Sequence, residues 1–154
     1  MENYMKLELS AISENESFAR NAVAAFALSL NPSLSEVSDI KTAVSEAVTN
    51  CVVHAYANNQ HAGEKIIVTC IAKEKDGQRI LHIDVEDFGC GMESVEKAMQ
   101  PFYTTLSFNE RSGMGFTIMQ TFMTEFSVQS EVGKGTRVSM IKILSEEGRA
   151  ENNA

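Results

Sequence analysis

Four short groups of residues in this 154-residue chain have types and an order that could bind a nucleotide. Glu46 and Asn50 place a carboxylate and an amide four residues apart. Two glycine pairs follow, in residues 87–91 (DFGCG) and 111–116 (RSGMGF), and a later GKGT segment ends at Thr136. Each group alone is common, but together and in this order they predict a nucleotide site that is not a P-loop.

Glu46 and Asn50 lie on the polar side of a predicted amphipathic helix. On a wheel of about 100° per residue, the apolar residues form one arc, Glu46 lies opposite its centre, and Asn50 lies about 40° away. The amide oxygen of Asn50 could ligate Mg²⁺, which prefers oxygen ligands and keeps water and phosphate oxygens around it in nucleotide sites. Glu46 could then act as a general base. The alternative for this pair is a solvated polar face.

Asp87 directly follows a strand-like run, and Gly89 and Gly91 come next. A carboxylate at a strand end could accept a hydrogen bond from an exocyclic amine, because the glycines let the backbone approach a flat ligand. An ordinary Asp/Gly turn would have the same residues. The motif is not a Rossmann fingerprint, since Ser94 fills the third glycine position.

Gly113 and Gly115 lead into a predicted helix, whose N-terminal N–H groups favour phosphate. Arg111 is the only cation between Lys97 and Lys134, so it is the candidate for stabilising a transferred phosphoryl group. A flexible loop before a helix is the alternative. The same stretch and the later GKGT turn offer further candidate nucleotide contacts: Thr104, Thr105, Ser112, Met114, Phe116 and Thr136.

Composition narrows the function classes. The net charge is −8 and the pI about 4.9, and binding to a phosphate backbone needs a cationic footprint, so no nucleic-acid partner is expected. The sequence has no run of transmembrane length and no signal-peptide layout at its start, which predicts no membrane association. Cys51, Cys70 and Cys90 lack CxxC spacing, which favours structural thiols in a protein of the reducing cytoplasm.

Hydrophobic periodicity and turn residues predict a single domain over residues 1–145 and a polar, disordered tail over 146–154. Capping boxes at Ser13/Glu16 and Ser33/Glu36 should open the first two helices. The pattern predicts a mixed, mostly antiparallel sheet covered by helices on one face. The predicted strands are 5–12, 65–73, 79–86, 126–131 and 137–143, and the predicted helices are 14–30, 34–56, 93–99 and 114–124.

The four groups together resemble the motifs of the GHKL superfamily of ATPases and kinases. This resemblance implies a two-layer α/β sandwich of the GHKL, or Bergerat, ATP-binding fold. The N box, the DxGxG box, the GxG box and the last GT element of that superfamily are matched in order by Glu46 and Asn50; Asp87, Gly89 and Gly91; Gly113 and Gly115; and Gly135 and Thr136.

Within the superfamily, residues 13–20, 44–50 and 110–119 most resemble the sporulation anti-sigma-F family of small serine kinases, and the resemblance spans about residues 4–143. It implies homodimers that bind and inhibit a sporulation sigma factor. It also implies that ATP and Mg²⁺ are used to phosphorylate a serine on an anti-anti-sigma partner.

The resemblance also implies individual roles. Asp87 would receive the adenine amine, and Asn50 would hold Mg²⁺. Gly113 and Gly115 would bind the phosphates under a mobile lid. Glu46 would take the proton from the partner's serine, Arg111 would stabilise the transferred phosphoryl group, and Arg20 would contact the sigma factor.

Three other functions make different demands on the sequence. An isolated histidine-kinase domain would need an upstream phospho-accepting histidine, whereas His54, His61 and His82 all lie within the ATP domain. A gyrase-type or repair-type ATPase would need a much longer chain. A non-catalytic, ATP-gated sigma clamp stays open, although Glu46 favours catalysis because ATP binding alone needs no base.

Overall fold

Five strands form one sheet in the computed structural model, which describes residues 2–56, 64–100 and 114–146. The strand order is β1-β2-β3-β5-β4. Every neighbouring pair among these strands is antiparallel, so the predicted sheet is confirmed except for its mixed character. β3 and β4 run in the same direction, but β5 lies between them and pairs with both. The strands are β1 (Glu2–Ser10), β2 (Lys65–Lys75), β3 (Gln78–Asp87), β4 (Glu125–Glu131) and β5 (Gly135–Ile143).

Four α-helices accompany the sheet in the described parts of the chain: α1 (Glu14–Ala27), α2 (Leu34–Asn50), α3 (Val95–Ala98) and α4 (Gly115–Phe122). A 3₁₀ turn, Leu28–Leu30, extends α1, and a π-helical segment, Cys51–Ala55, extends α2. The two long predicted helices therefore end where expected, but the last turn of each changes its hydrogen-bond pattern.

The core lies between one face of the sheet and the helices α1 and α2. Along β3, Leu81, Ile83 and Val85 are buried, whereas the alternate side chains are only partly covered. This alternation follows from the period of two in a strand and gives the sheet one buried face. From the helices, Val23, Ile40, Val44 and Val48 are buried against that face.

The cysteines divide between the core and the surface. Cys51 and Cys70 are buried as expected of structural thiols, but Cys90 is exposed and does not fit the structural role predicted for it. All three are free thiols. Cys90 follows β3 in a segment whose backbone N–H donates to Ala55 O at 3.0 Å, which fixes the main chain and leaves the side chain outside the core.

Only one of the two predicted capping boxes forms. Ser33 is extended, its Oγ accepts from Glu36 N–H at 3.1 Å, and Glu36 Oε1 accepts from Ser33 N–H at 3.0 Å. Ser13 instead has helical angles and no side-chain cap, because a cap requires an extended residue. The carboxylate of Glu16 pairs with Arg20 Nη1 at 2.7 Å. The prediction of a capping box at Ser13 was therefore wrong.

The two serines give a matched test of helix capping. Ser33→Ala should lower the free energy of unfolding by about 1 kcal/mol, because it leaves a helical N–H without its acceptor. Ser13→Ala should change that free energy by less than about 0.5 kcal/mol, as expected of a surface substitution that removes no cap. Urea unfolding of both variants measures the difference, and equal losses would contradict it.

Arg79, at the start of β3, ties the end of α1 to the end of β5. Its guanidinium is buried and donates to the carbonyl oxygens of Leu30 and Asn31, each at 2.7 Å, and to that of Ser145. Ser145 N–H in turn donates to Glu36 Oε2 at 2.9 Å. A cation near terminal helix carbonyls is favourable, so this contact holds the last described residues against the helix layer.

Candidate functional site

A cavity of about 300 Å³ lies beside the end of β3 and the start of β5. The last turn of α2 and its π-helical extension form one wall, and the segment from Cys90 to Ala98 forms another. The N-terminus of α4 lies at the cavity as well. Six of the residues predicted from sequence to form the site line this cavity: Asn50, Asp87, Gly91, Gly115, Phe116 and Thr136.

Gly115, the first residue of α4, lies directly against the polar face of α2. A Cβ atom at this position would lie 3.2 Å from both Oδ1 and Nδ2 of Asn50 and 3.3 Å from Oε2 of Glu46. A larger residue would therefore press on both side chains. The close approach brings the N-terminus of α4, which favours anions, next to a candidate metal ligand and a candidate base.

Asp87 is the most enclosed acidic group of the site, with 5% of its surface exposed. Its Oδ1 atom accepts from the backbone N–H of Gly89 at 3.1 Å and of Thr136 at 3.2 Å. Burial raises the pKa of Asp87, while these backbone bonds and the Cys51 thiol act in the opposite direction. A carboxyl held at a cavity wall despite its desolvation is typical of a functional site.

Gly91 lets the segment after β3 pass close to the β4–β5 turn. Its φ is +69°, and a Cβ atom there would lie 2.1 Å from Glu131 O. Cys90 O also accepts from Gly133 N–H at 2.8 Å. Only glycine combines this left-handed conformation with this contact, so the DxGxG segment and the GT turn hold each other in place.

Comparison with known proteins agrees with this arrangement. Residues 9–142 match the family described as histidine kinase-like ATPase domain. Anti-sigma F factor of Caldanaerobacter subterraneus subsp. tengcongensis is 54% identical over 143 residues, covering 92% of this chain and 94% of the relative. Anti-sigma F factor of Thermoanaerobacter sp. (strain X514) is 52% identical over 145 residues, covering 94% and 96%.

The chain belongs to the anti-sigma F factor family. Its histidine kinase-like ATPase domain confirms the family and the two-layer GHKL fold that the motifs predicted.

Solved structures share this fold at low identity. The RsbU and RsbW domains of a Mycobacterium tuberculosis protein superpose with a TM-score of 0.60 at 19% identity, covering 92% of this chain and 32% of that one. The mycobacterial sensor histidine kinase MprB gives a TM-score of 0.53 at 13% identity, covering 91% and 98%. At these identities the likeness concerns the fold.

Tyr56 contributes to the site without having been predicted. Its hydroxyl donates to Lys65 O at 2.7 Å and accepts from Phe88 N–H at 2.6 Å. Burial raises its pKa to about 12, so the hydroxyl stays protonated. Tyr56 thus ties the end of the α2 extension to the residue after Asp87. No local pattern indicates this role, because its partners lie 9 and 32 residues away.

Ser130 also belongs to the site and was not predicted. Its Oγ accepts from Met92 N–H at 2.8 Å and lies 2.8 Å from Thr136 Oγ1. One signal could have found it, because the alternation in β4 places Ser130 on the same inward face as Phe126 and Val128. A polar residue that continues an apolar face requires a partner.

The other predicted residues lie elsewhere or outside the described part of the chain. Gly89 is near the cavity through its bond to Asp87, and Met114 immediately precedes α4. Arg20 lies in a separate groove between α1 and α2 that also includes Lys41. The predictions for Thr104, Thr105, Arg111, Ser112 and Gly113, and for the tail from residue 147, fall outside the described residues.

Within residues 2–56, 64–100 and 114–146, no three acidic, histidine or cysteine side chains cluster as metal ligands. None of the helices in the same ranges is long and apolar enough to cross a membrane.

Proposed function

We propose that this protein is a cytoplasmic protein-serine kinase and anti-sigma factor. It binds a sporulation sigma factor and holds it inactive, and it uses ATP and Mg²⁺ to phosphorylate a serine of an anti-anti-sigma partner. The observation that carries this proposal is the convergence of Asn50, Asp87, Gly115 and Thr136 on one cavity. Residues 1–145 form the kinase domain in this proposal, and 146–154 form the tail.

The adenine binds at the Asp87 end of the cavity. Both backbone bonds of Asp87 go to Oδ1, so Oδ2 would accept the exocyclic amine. The phosphates lie towards α4, where the N-terminal N–H groups of the helix favour them. Asn50 would ligate the Mg²⁺ there. The further proposed nucleotide contacts are Gly89, Gly91, Thr104, Thr105, Ser112, Gly113, Met114, Phe116 and Thr136.

Glu46 is proposed as the base that takes the serine proton. Its Oε2 lies close to the Cβ position of Gly115, as do the side-chain atoms of Asn50. The carboxylate is therefore beside the metal ligand and the phosphate-binding helix rather than beside Asp87. Arg111 would stabilise the transferred phosphoryl group, because charge develops on its oxygens during transfer.

Homodimer formation is part of the proposal. The sheet has a second face, on the side away from α1 and α2. Half-buried Ile67, Ile71 and Ile141 lie on that face. Partly covered isoleucines between polar neighbours suit an interface with a second copy. Sedimentation equilibrium should give twice the monomer mass, and Ile71→Glu should shift the protein to monomer.

The groove between α1 and α2 is the proposed contact for the sigma factor. Lys41 and Arg20 carry positive charge in this groove, and although Arg20 also pairs with Glu16, the groove suits an acidic patch. Arg20→Glu should weaken sigma binding at least about tenfold while ATP affinity stays unchanged. Lys75→Glu, a charge reversal at the exposed end of β2 and outside this groove, is the control. Normal sigma binding by the Arg20 variant would show that Arg20 does not contact the sigma factor and is an ordinary surface residue.

Labelled ATP, Mg²⁺ and a candidate anti-anti-sigma protein test the proposed reaction directly. The expected result is labelled phosphoserine on the partner. Tight ATP-dependent sigma binding with no phosphoserine would contradict the kinase activity and favour a non-catalytic ATP-gated clamp.

A further inference from the structure

Ser130 connects three elements around the cavity through one hydroxyl. Its Oγ accepts from Met92 N–H at 2.8 Å, lies 3.1 Å from Gly135 O, and lies 2.8 Å from Thr136 Oγ1. It thus links the DxGxG segment to both residues of the GT element, and it does so from β4, which carries none of the family motifs.

Counting protons fixes the direction of each bond. Met92 N–H can only donate and Gly135 O can only accept. The single proton of Ser130 is therefore needed for Gly135 O, and the bond between the two hydroxyls requires Thr136 as the donor. This is the one arrangement that makes all three bonds at once, and it turns the lone pairs of Thr136 Oγ1 away from Ser130.

Thr136 lines the cavity beside Asp87. Its backbone N–H donates to Asp87 Oδ1 at 3.2 Å, and the two residues are paired across β3 and β5. With its proton committed to Ser130, the Thr136 hydroxyl can only accept a further hydrogen bond, as can the Asp87 carboxylate. Two neighbouring acceptors suit a purine with a 6-amino group and disfavour one with a 6-oxo group.

We propose that Ser130 is a specificity-determining residue, which selects 6-aminopurine over 6-oxopurine nucleotides by fixing the hydroxyl proton of Thr136. This inference rests on the proposed binding of adenine nucleotides. It assigns part of the base selectivity to a residue that acts through Thr136, in addition to the carboxylate of Asp87.

The test compares the affinities for ATP and inosine triphosphate, which differ at the 6-position of the purine. Wild type should prefer ATP. In Ser130→Ala the Thr136 hydroxyl can rotate and donate to the 6-oxo group, so the preference should fall about tenfold, the effect of one hydrogen bond. Ser130→Thr keeps a hydroxyl and should restore the preference. A loosened loop would instead weaken both nucleotides alike, and an unchanged ratio overturns the inference.

Two further variants keep the test decisive. Adding Thr136→Val to Ser130→Ala removes the rotating hydroxyl and should abolish the gain in inosine triphosphate affinity; a gain that persists overturns the inference. Ser130→Cys keeps the shape with a weak donor and should shift the ratio in the same direction if the alanine variant does not fold. Wild type that binds no ATP would overturn the proposed function, whereas wild type that prefers ATP beside an unchanged Ser130→Ala ratio would overturn only the role of Ser130.

Discussion

Glu46→Gln should phosphorylate the anti-anti-sigma partner at least about 100-fold more slowly than wild type. Glutamine keeps the shape of the side chain beside Gly115 and Asn50 but cannot take the serine proton. ATP affinity and sigma binding should therefore stay nearly normal. Single-turnover transfer from labelled ATP measures the rate, and nucleotide titration measures the affinity.

Two controls separate the loss of a base from other damage to the site. Glu74→Gln makes the same change at the exposed end of β2 and should transfer at the wild-type rate. Asn50→Ala should lose Mg²⁺-dependent ATP affinity as well as rate, because it removes the proposed metal ligand. A full single-turnover rate in Glu46→Gln would show that the carboxylate is not the base and would favour the non-catalytic clamp.

Asp87→Asn should weaken ATP binding by roughly 10- to 100-fold. The bond between a carboxylate and the adenine amine is charge-assisted and contributes about 1.5–3 kcal/mol, which corresponds to this range. Asparagine retains an oxygen for the backbone N–H groups of Gly89 and Thr136, so the cavity should keep its shape. Isothermal titration with ATP and adenosine measures the loss, which should be similar for both ligands because it concerns the base.

Asp84→Asn is the matched control, since Asp84 lies on the same strand but on its other face. The two variants should also differ in stability. Burial raises the pKa of Asp87, so ionising this group opposes folding, and Asp87→Asn should be at least as stable as wild type at neutral pH. Although burial opposes it, hydrogen bonds from Arg137 and Ser139 lower the pKa of Asp84.

The stability that Asp84 contributes is therefore present at neutral pH and is lost as the pH falls through its lowered pKa. Asp84→Asn should unfold more easily than wild type at neutral pH and bind ATP normally. Normal ATP affinity in Asp87→Asn would contradict the assignment of Asp87 to the base.

The sequence by itself determined the features that depend on a few neighbouring residues. The alternation in β2 and β3, with positive φ at Asp76 and Gly77 in the turn between them, was predicted because a hairpin is a local structure. The Ser33 capping box was predicted for the same reason. The order of the motifs also indicated the family, because each motif is a short run of residues that can be recognised without knowledge of the packing.

Local patterns were insufficient where the outcome depended on a competing contact. Ser13 has the same capping pattern as Ser33, but its helical backbone prevents the cap, and Glu16 pairs with Arg20. Cys90 resembles the other cysteines in sequence, but its place after β3 leaves it exposed. In both cases the path of the surrounding backbone determined the outcome. That path cannot be predicted from the types of four consecutive residues.

Only the tertiary structure brought the site together. Asp87 binds the N–H of Thr136, 49 residues later, because β5 inserts between β3 and β4 and pairs with both. Gly115 meets Glu46 and Asn50 because α4 packs on α2. Tyr56 and Ser130 acquire their roles through partners up to 38 residues away. A hydrogen bond depends on atomic positions within a few tenths of an ångström, and such positions follow from the packing of the whole domain rather than from the type of any one residue.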